Sequence, residues 1–300
     1  MRDALLRMVL YFDIFKHPLT VAELERLVAP GQPEALAEAL AALEASGQIA
    51  ATGRYRHLPD AHHNVTRRKV RARTAEQVWP KARRAAAVLG ALPFVRGVLI
   101  TGSLSKNSAL PGDDVDFLLL VQPGRVWSLK TLTHIARKAM PHSLRELFCT
   151  NYLLDVDHLS LDQRNLFTAV ELCTAIPMYG PQVCARFLKA NQWAEQFVPG
   201  MDWSLARAGN ARQLVQPRPV AALEAVWGGP LAARAEQRTL SLWDHYWRRK
   251  YDWLSDAQRD RRFQRDESVA TNHLHDFQEY VLREARARME HVGLREPVAL

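Results

Sequence analysis

Two apolar runs stand close together in the middle of the chain, and each meets a polar turn at one end. Val98-Leu99-Ile100 leads directly into Thr101-Gly102-Ser103, and Asp114-Val115-Asp116 leads directly into Phe117-Leu118-Leu119-Leu120-Val121, with ten residues between Ser103 and Asp114. Pro93 and Gly97 bracket the start of the first run, and Pro111-Gly112 marks a loop before the second. Runs of this length and composition, bounded by such residues, read as strands. The order is therefore strand, Gly-Ser turn, short helix (Leu104–Ala109), loop, strand.

Each part of this block has a chemical use. Residues two apart in a strand point to one face, so Asp114 and Asp116 are expected to project together while Val115 and Phe117 enter the core. Paired carboxylates repel unless a cation lies between them, and hard oxygen donors select Mg²⁺ or Mn²⁺. Mg²⁺ keeps several waters and is completed by substrate phosphates, so two protein carboxylates are a natural ligand set. Gly102 lets backbone approach a ligand closely. Ser103 adds a hydroxyl, the following N–H groups favour an anion such as a triphosphate, and Lys106 adds a point charge. Asp113 is expected to face away as a loop acid.

A Gly-Ser turn and an Asp-x-Asp pair at this spacing, each joined to an apolar strand, resemble the nucleotidyltransferase superfamily with the DNA polymerase beta-like fold. The resemblance covers roughly residues 93–154. The order of a winged helix, such a core and a helical tail, with the tail segment IPMYGPQVCARFLKANQW, is similar to bacterial nucleotidyltransferase-domain proteins. It implies transfer of a nucleoside monophosphate from an NTP to an acceptor, with release of pyrophosphate. Asp114 and Asp116 would hold the metal, and Gly102 and Ser103 would contact the phosphates.

Members of that superfamily usually carry a third carboxylate on a later strand. The corresponding run here, Leu147–Leu154, contains no acid. Alternation puts Cys149, Asn151, Leu153 and Asp155 on one face. Either Asn151 occupies the acid's place or Asp155 substitutes from the strand end as a catalytic residue. A site with neither would bind nucleotide and metal but turn over slowly or not at all, as in a nucleotide-sensing regulator.

Before this block, residues 1–60 read as three helices and a hairpin. Leu5, Leu6, Val9, Leu10 and Ile14 recur at helical spacing, and Thr20-Val21-Ala22-Glu23 is a capping box. Pro33 opens a third helix that Gly47 closes. This pattern resembles winged helix-turn-helix domains. Its third helix, PEALAEALAALEAS, carries three glutamates and no Lys or Arg. A helix that approaches phosphates needs cations, so sequence-specific DNA is not an expected partner.

A stretch rich in Arg and Lys follows, from Arg67 to Arg84, expected to be helical with a kink or division at Pro80. It reads as a solvated connecting helix or, alternatively, as a surface for RNA. Beyond residue 159 the chain reads as helical almost throughout, with breaks at Pro177–Gly180, Pro199-Gly200 and Pro217–Pro219. Leu240, Trp243, Trp247, Tyr251 and Leu254 form a helical stripe, more in keeping with core than with base stacking. Trp203 is one of six tryptophans in this half, and His275, at the start of the final helix, reads as a capping or packing residue or, alternatively, as one that reaches the active site.

The expected class is therefore α+β in three parts: a winged-helix-like module (1–60), a nucleotidyltransferase core with a mixed sheet and the preceding basic helix (61–158), and an α-helical C-terminal domain (159–300). Hydrophobic residues make up 48% of the chain, which excludes general disorder. No apolar stretch approaches the ~20 residues of a membrane span, and the N-terminal segment is too short and charged for a signal peptide. Cys149, Cys173 and Cys184 lack zinc spacing and cannot make a disulfide framework, so a cytoplasmic location is expected. The net charge of +8 suits a nucleoside triphosphate and an anionic acceptor. Small molecule, RNA and protein all remain open as acceptors.

Overall fold

The computed structural model describes residues 1–201, 209, 211–214, 217–227, 230–272 and 277–294. Trp203 and His275 lie outside the described residues. The class is α+β, with helices covering both faces of a mixed central sheet.

The N-terminal part contains α1 (Arg2–Ile14), β1 (Leu19–Thr20), α2 (Val21–Val28), α3 (Pro33–Ala45), β2 (Ala50–Thr52) and β3 (Tyr55–His57). Its three strands pair antiparallel in the order β1-β3-β2. The capping box forms as its sequence demands: Glu23 N–H donates to Thr20 Oγ1 at 3.2 Å, and Thr20 N–H donates to Glu23 Oε2 at 2.7 Å. Leu24, Leu27 and Val28 of α2 pack against Leu5, Val9 and Phe12 of α1 in one apolar cluster.

The basic stretch forms α4 (Asn64–Gly90), a helix of 27 residues that runs on through Pro80. It is not simply a solvated connector. Ala75, Ala82, Ala85, Ala86 and Leu89 make a buried stripe against the sheet, and small side chains there allow close approach. Arg67, Lys69, Arg73, Lys81, Arg83 and Arg84 remain exposed on the outer side.

The central sheet is formed by β4 (Val95–Ile100), β5 (Asp116–Val121), β6 (Cys149–Asp155), β7 (Ile176–Tyr179) and β8 (Val269–Thr271), in the order β7-β4-β5-β6-β8. Among these five strands, as the described residues show them, β5 and β6 are the pair that runs parallel. Such a pair needs a crossover, which α6 (Val126–Ala139) supplies. The strands alternate as a sheet buried on both faces must: Leu118 and Leu120 enter one apolar cluster, Phe117, Leu119 and Val121 the other. The first cluster joins the sheet to the N-terminal helices and to α8 (Leu166–Thr174) and α9 (Pro181–Ala190). The core of the first 60 residues is thus continuous with that of the sheet.

The C-terminal half departs from its expected all-helical character. Pro177-Met178-Tyr179 is not a break but part of edge strand β7, where proline is tolerated, and Val269–Thr271 forms the opposite edge. Both runs are too short to declare themselves by periodicity. Among the described residues the other α-helices are α10 (Arg218–Val226), α11 (Pro230–Lys250), α12 (Asp256–Arg262) and α13 (Phe277–His291), with α5 (Gly102–Ser105) and α7 (His142–Arg145) as single turns earlier in the chain. The aromatic stripe of α11 is core, as expected. Trp243 and Trp247 are buried against α6, and Trp247 stacks on Phe263 at 5.0 Å.

Candidate functional site

Strand β4 ends at Ile100, and the chain turns back at Thr101-Gly102. Thr101 N–H donates to the Asp116 carbonyl at 3.0 Å, which holds the turn beside the first residue of β5. Gly102 has φ +67°, and a Cβ placed on it would lie 2.1 Å from Asp116 Oδ2. No larger residue fits there, so glycine is required both by backbone conformation and by the approach of the carboxylate. Ser103 follows at the same turn, and its carbonyl accepts from the N–H groups of Lys106 and Ser108.

Asp116 is partly buried and shares its side of the sheet with Leu118 and Leu120. Its carboxyl is pushed up to about 7, first by burial, then by the charges of Glu171 and Asp114, against a smaller opposing pull from Lys106. Asp114 lies just before β5 in irregular chain and is more exposed; Arg137 of α6 sits 3.5 Å from its Oδ1. The strand that was expected to hold both acids therefore holds only Asp116. The two still lie near enough for Asp114 to act on Asp116 and on Cys149, whose thiol is driven up to about 12 by burial and then by these two acids.

Strand β6 meets the pair through a bulge. Asp116 is opposite Cys149 and Phe117 opposite Thr150, but Leu118 is opposite Tyr152, so Asn151 has no counterpart on β5. Thr150 reaches Thr133 of α6 on one face, while Asn151 Nδ2 donates to Asp116 Oδ1 on the other. Cys149 Sγ donates to Asn151 Oδ1 at 3.0 Å, which fixes the amide. The extra residue breaks the expected alternation, so Leu153 and Asp155 do not share the face of Asn151.

Asp155 is not brought to the site. It pairs in register with Val121, five residues along β5 from Asp116, which is roughly 16 Å at the rise of a strand. Its carboxylate is buried and accepts from Gly124 N–H at 3.3 Å and Asp157 N–H at 2.8 Å, closing loops at that end of the sheet. Parallel pairing is the reason: the acid beside Asp116 must come from the start of β6, and Asp155 is at its end.

Glu171 is the acid that sequence reasoning missed. It comes from α8, and its Oε2 accepts from Gly102 N–H at 3.2 Å. Lys106 Nζ lies 2.8 Å from Oε1 and 2.9 Å from Oε2, and also donates to the Gly102 carbonyl at 2.9 Å. Lys106 is therefore satisfied internally rather than standing open to solvent. One signal was present in the sequence: Glu171 is the lone charge in the apolar helix LFTAVELCT. Such a charge within a buried helix needs a partner.

Asp116 and Glu171 thus meet at one glycine turn, and Asp114 lies near enough to act on Asp116. Carboxylate oxygens are hard donors, and the raised Asp116 reports its burial first and then the repulsion of Glu171 and Asp114, both of which a divalent cation would offset. The Asp114/Asp116 pair fits such an ion. Among the described residues, no group of three His, Cys, Asp or Glu is arranged to hold a metal by itself, so remaining ligands would come from water and substrate. The large cavity of about 1110 Å³ is elsewhere, lined by Tyr152, Arg186, Lys189 and Phe263 among others, and contains neither acid of the pair. Comparison of the chain with protein-family models, curated proteins and solved structures finds no match.

Proposed function

We propose that this chain is a divalent-metal-dependent nucleotidyltransferase that moves a nucleoside monophosphate from an NTP to an acceptor hydroxyl, releasing pyrophosphate. The observation that carries this reading is the seat of Asp116: a partly buried carboxylate against the Gly102 turn, with Asp114 beside it. Asp114 and Asp116 would hold Mg²⁺ or Mn²⁺. When bound, the metal would neutralise triphosphate charge and lower the pKa of the acceptor hydroxyl. Gly102 and Ser103 approach the phosphates through backbone, and Lys106 supplies positive charge. Asn151 holds Asp116 in one orientation by donating to Oδ1. The chain's contribution is mainly positioning and fixed charge.

The wider organisation belongs to the same reading. The three N-terminal helices with their small antiparallel sheet are read as a winged helix, the five-stranded sheet as the transferase core, and the helical remainder as a wall of the acceptor pocket. Glu34 and Glu38 are exposed on α3, which argues against phosphate contact by that helix. The exposed cations of α4 keep RNA among the acceptors, beside small molecules and proteins. No helix among the described residues is long and apolar enough to cross a membrane, and a cytoplasmic setting is part of the proposal.

A second reading is favoured by Asn151. An amide faces Asp116 where the superfamily would place a third acid, which suits a nucleotide-binding regulator of low or no turnover. Incubation with each labelled NTP, Mg²⁺ and cell extract separates the two. Transfer that disappears in Asp114→Asn and Asp116→Asn supports the enzyme. Metal-dependent NTP binding without transfer supports the regulator, and the absence of both defeats the two readings together.

A further inference from the structure

Two donors that this reading reserves for phosphate already hold an anion. Gly102 N–H and Lys106 Nζ converge on the Glu171 carboxylate at 3.2, 2.8 and 2.9 Å. To an N–H group and an ammonium, a carboxylate oxygen and a phosphate oxygen offer the same thing, a charged acceptor at hydrogen-bond distance. The cradle is therefore built for an anionic oxygen, and the chain supplies one of its own.

A second observation concerns where that carboxylate goes when displaced. Tyr11 of α1 is 1% exposed, and its hydroxyl has no hydrogen-bond partner among the described residues. A buried hydroxyl left so is costly. Burial holds the phenol well above its ordinary value, and the charge of Glu171 adds to this. The hydroxyl is a donor without an acceptor among the described residues, and the Glu171 carboxylate that acts on it is engaged at Gly102 and Lys106.

We propose that Glu171 is a resident occupant of the phosphate cradle, displaced toward the Tyr11 hydroxyl when an oligophosphate binds to Gly102 and Lys106. This rests on the assignment of Gly102 and Lys106 to phosphate in the proposed function. It makes Glu171 a specificity-determining residue. A ligand must bring enough negative charge to replace a carboxylate that is already paired, so a triphosphate chain is selected over a monophosphate.

The test is calorimetric titration of the full chain with tripolyphosphate, with EDTA present, which needs neither metal nor chemistry. Glu171→Ala should tighten binding by about tenfold or more, equivalent to about 1.4 kcal/mol. Glu171→Asp keeps the charge but draws the carboxylate back by one methylene, and it should also tighten binding. Tyr11→Phe removes the second seat and should weaken binding several-fold, while Lys106→Ala should abolish it. Thermal melting of every variant, with Glu171→Gln as a near-isosteric second choice, identifies any that fail to fold.

Tightening in Glu171→Ala but not in Glu171→Asp would mean a charge acting through space and would overturn the proposal. Equal or weaker binding in both would overturn it as well, leaving Glu171 as a brace for the turn. If no variant binds tripolyphosphate, the cradle itself is wrong. Tightening as expected without transfer of any NTP would keep this inference and defeat the transferase reading.

Discussion

Asn151 donates a hydrogen bond to Asp116 from a bulge in β6, so an amide meets the less exposed member of the acid pair. The bulge inserts Asn151 between rows that pair Phe117 with Thr150 and Leu118 with Tyr152. A hydrogen-bond donor there favours the ionised form of Asp116, whereas a carboxylate would oppose it.

Asn151→Asp places a third acid at this position. The metal-free variant should melt at a lower temperature than the parent at pH 8, because three negative groups then crowd Asp116. Millimolar Mg²⁺ should raise its melting temperature more than that of the parent. Differential scanning calorimetry with and without Mg²⁺ checks this, and equal metal responses would contradict it.

The raised Asp116 carboxyl makes stability depend on pH in a definite direction. In the unfolded chain the group titrates near its ordinary value, and in the fold at about 7. Between these, the folded state holds a proton that the unfolded state has lost, so stability falls as pH rises from about 4 to about 7. Above that window the loss is complete. Metal-free Asp116→Asn should have a flatter profile and be more stable than the parent at pH 8 by on the order of 1–3 kcal/mol. Parallel stability curves in urea titrations from pH 5 to pH 8 would refute it.

Gly102→Ala tests the turn. The new methyl group would meet Asp116 Oδ2 at 2.1 Å in a backbone conformation that alanine adopts poorly. A cost of about 1–3 kcal/mol is expected from backbone strain of this kind. Displacement of Asp116 should reduce metal-dependent NTP transfer at least tenfold, an expectation read from initial rates at saturating Mg²⁺. Full activity would show that the close approach of Gly102 and Asp116 has no catalytic consequence.

Asp155→Ala separates the two ends of β6. Loss of the acceptors for Gly124 and Asp157 should destabilise the chain by about 1–3 kcal/mol, as for other buried hydrogen bonds left half-made. NTP transfer measured well below the melting temperature should stay within twofold of the parent. A selective loss of turnover would instead assign Asp155 to the chemistry.

Arg68→Met tests the attachment of the N-terminal part. Arg68 is buried, lies 2.8 Å from Glu23 and donates to the Asn107 carbonyl at 3.0 Å. Breaking such a pair from one side typically costs about 3–5 kcal/mol. Urea unfolding should show this loss, and limited proteolysis should cut earlier in the first 60 residues. Unchanged proteolysis would mean that the shared apolar core alone holds the two parts together.

The continuous apolar run Phe117–Val121, the Thr20–Glu23 capping box and the aromatic stripe of α11 were legible because each is a local pattern within a short stretch of chain. The Gly102 turn and the nearness of Asp114 and Asp116 were also legible, since a few residues of chain hold them together. Strands β7 and β8 were not, because three or four residues carry too little periodicity and their pairing partners lie far off in sequence. Nor was the fate of Asp155, which depends on the direction in which β6 runs beside β5.

The sequence by itself determined that this chain has an acid pair, a glycine turn and apolar strands to carry them, because those features depend on neighbours in the chain. Only the tertiary structure decided which other groups face that pair. A one-residue bulge turned Asn151 toward Asp116 and Asp155 away from Asn151's face. The packing of α8 against the sheet brought Glu171 to a turn 69 residues away in the chain. Such contacts follow from strand register and helix docking, which depend on the whole core rather than on any local run.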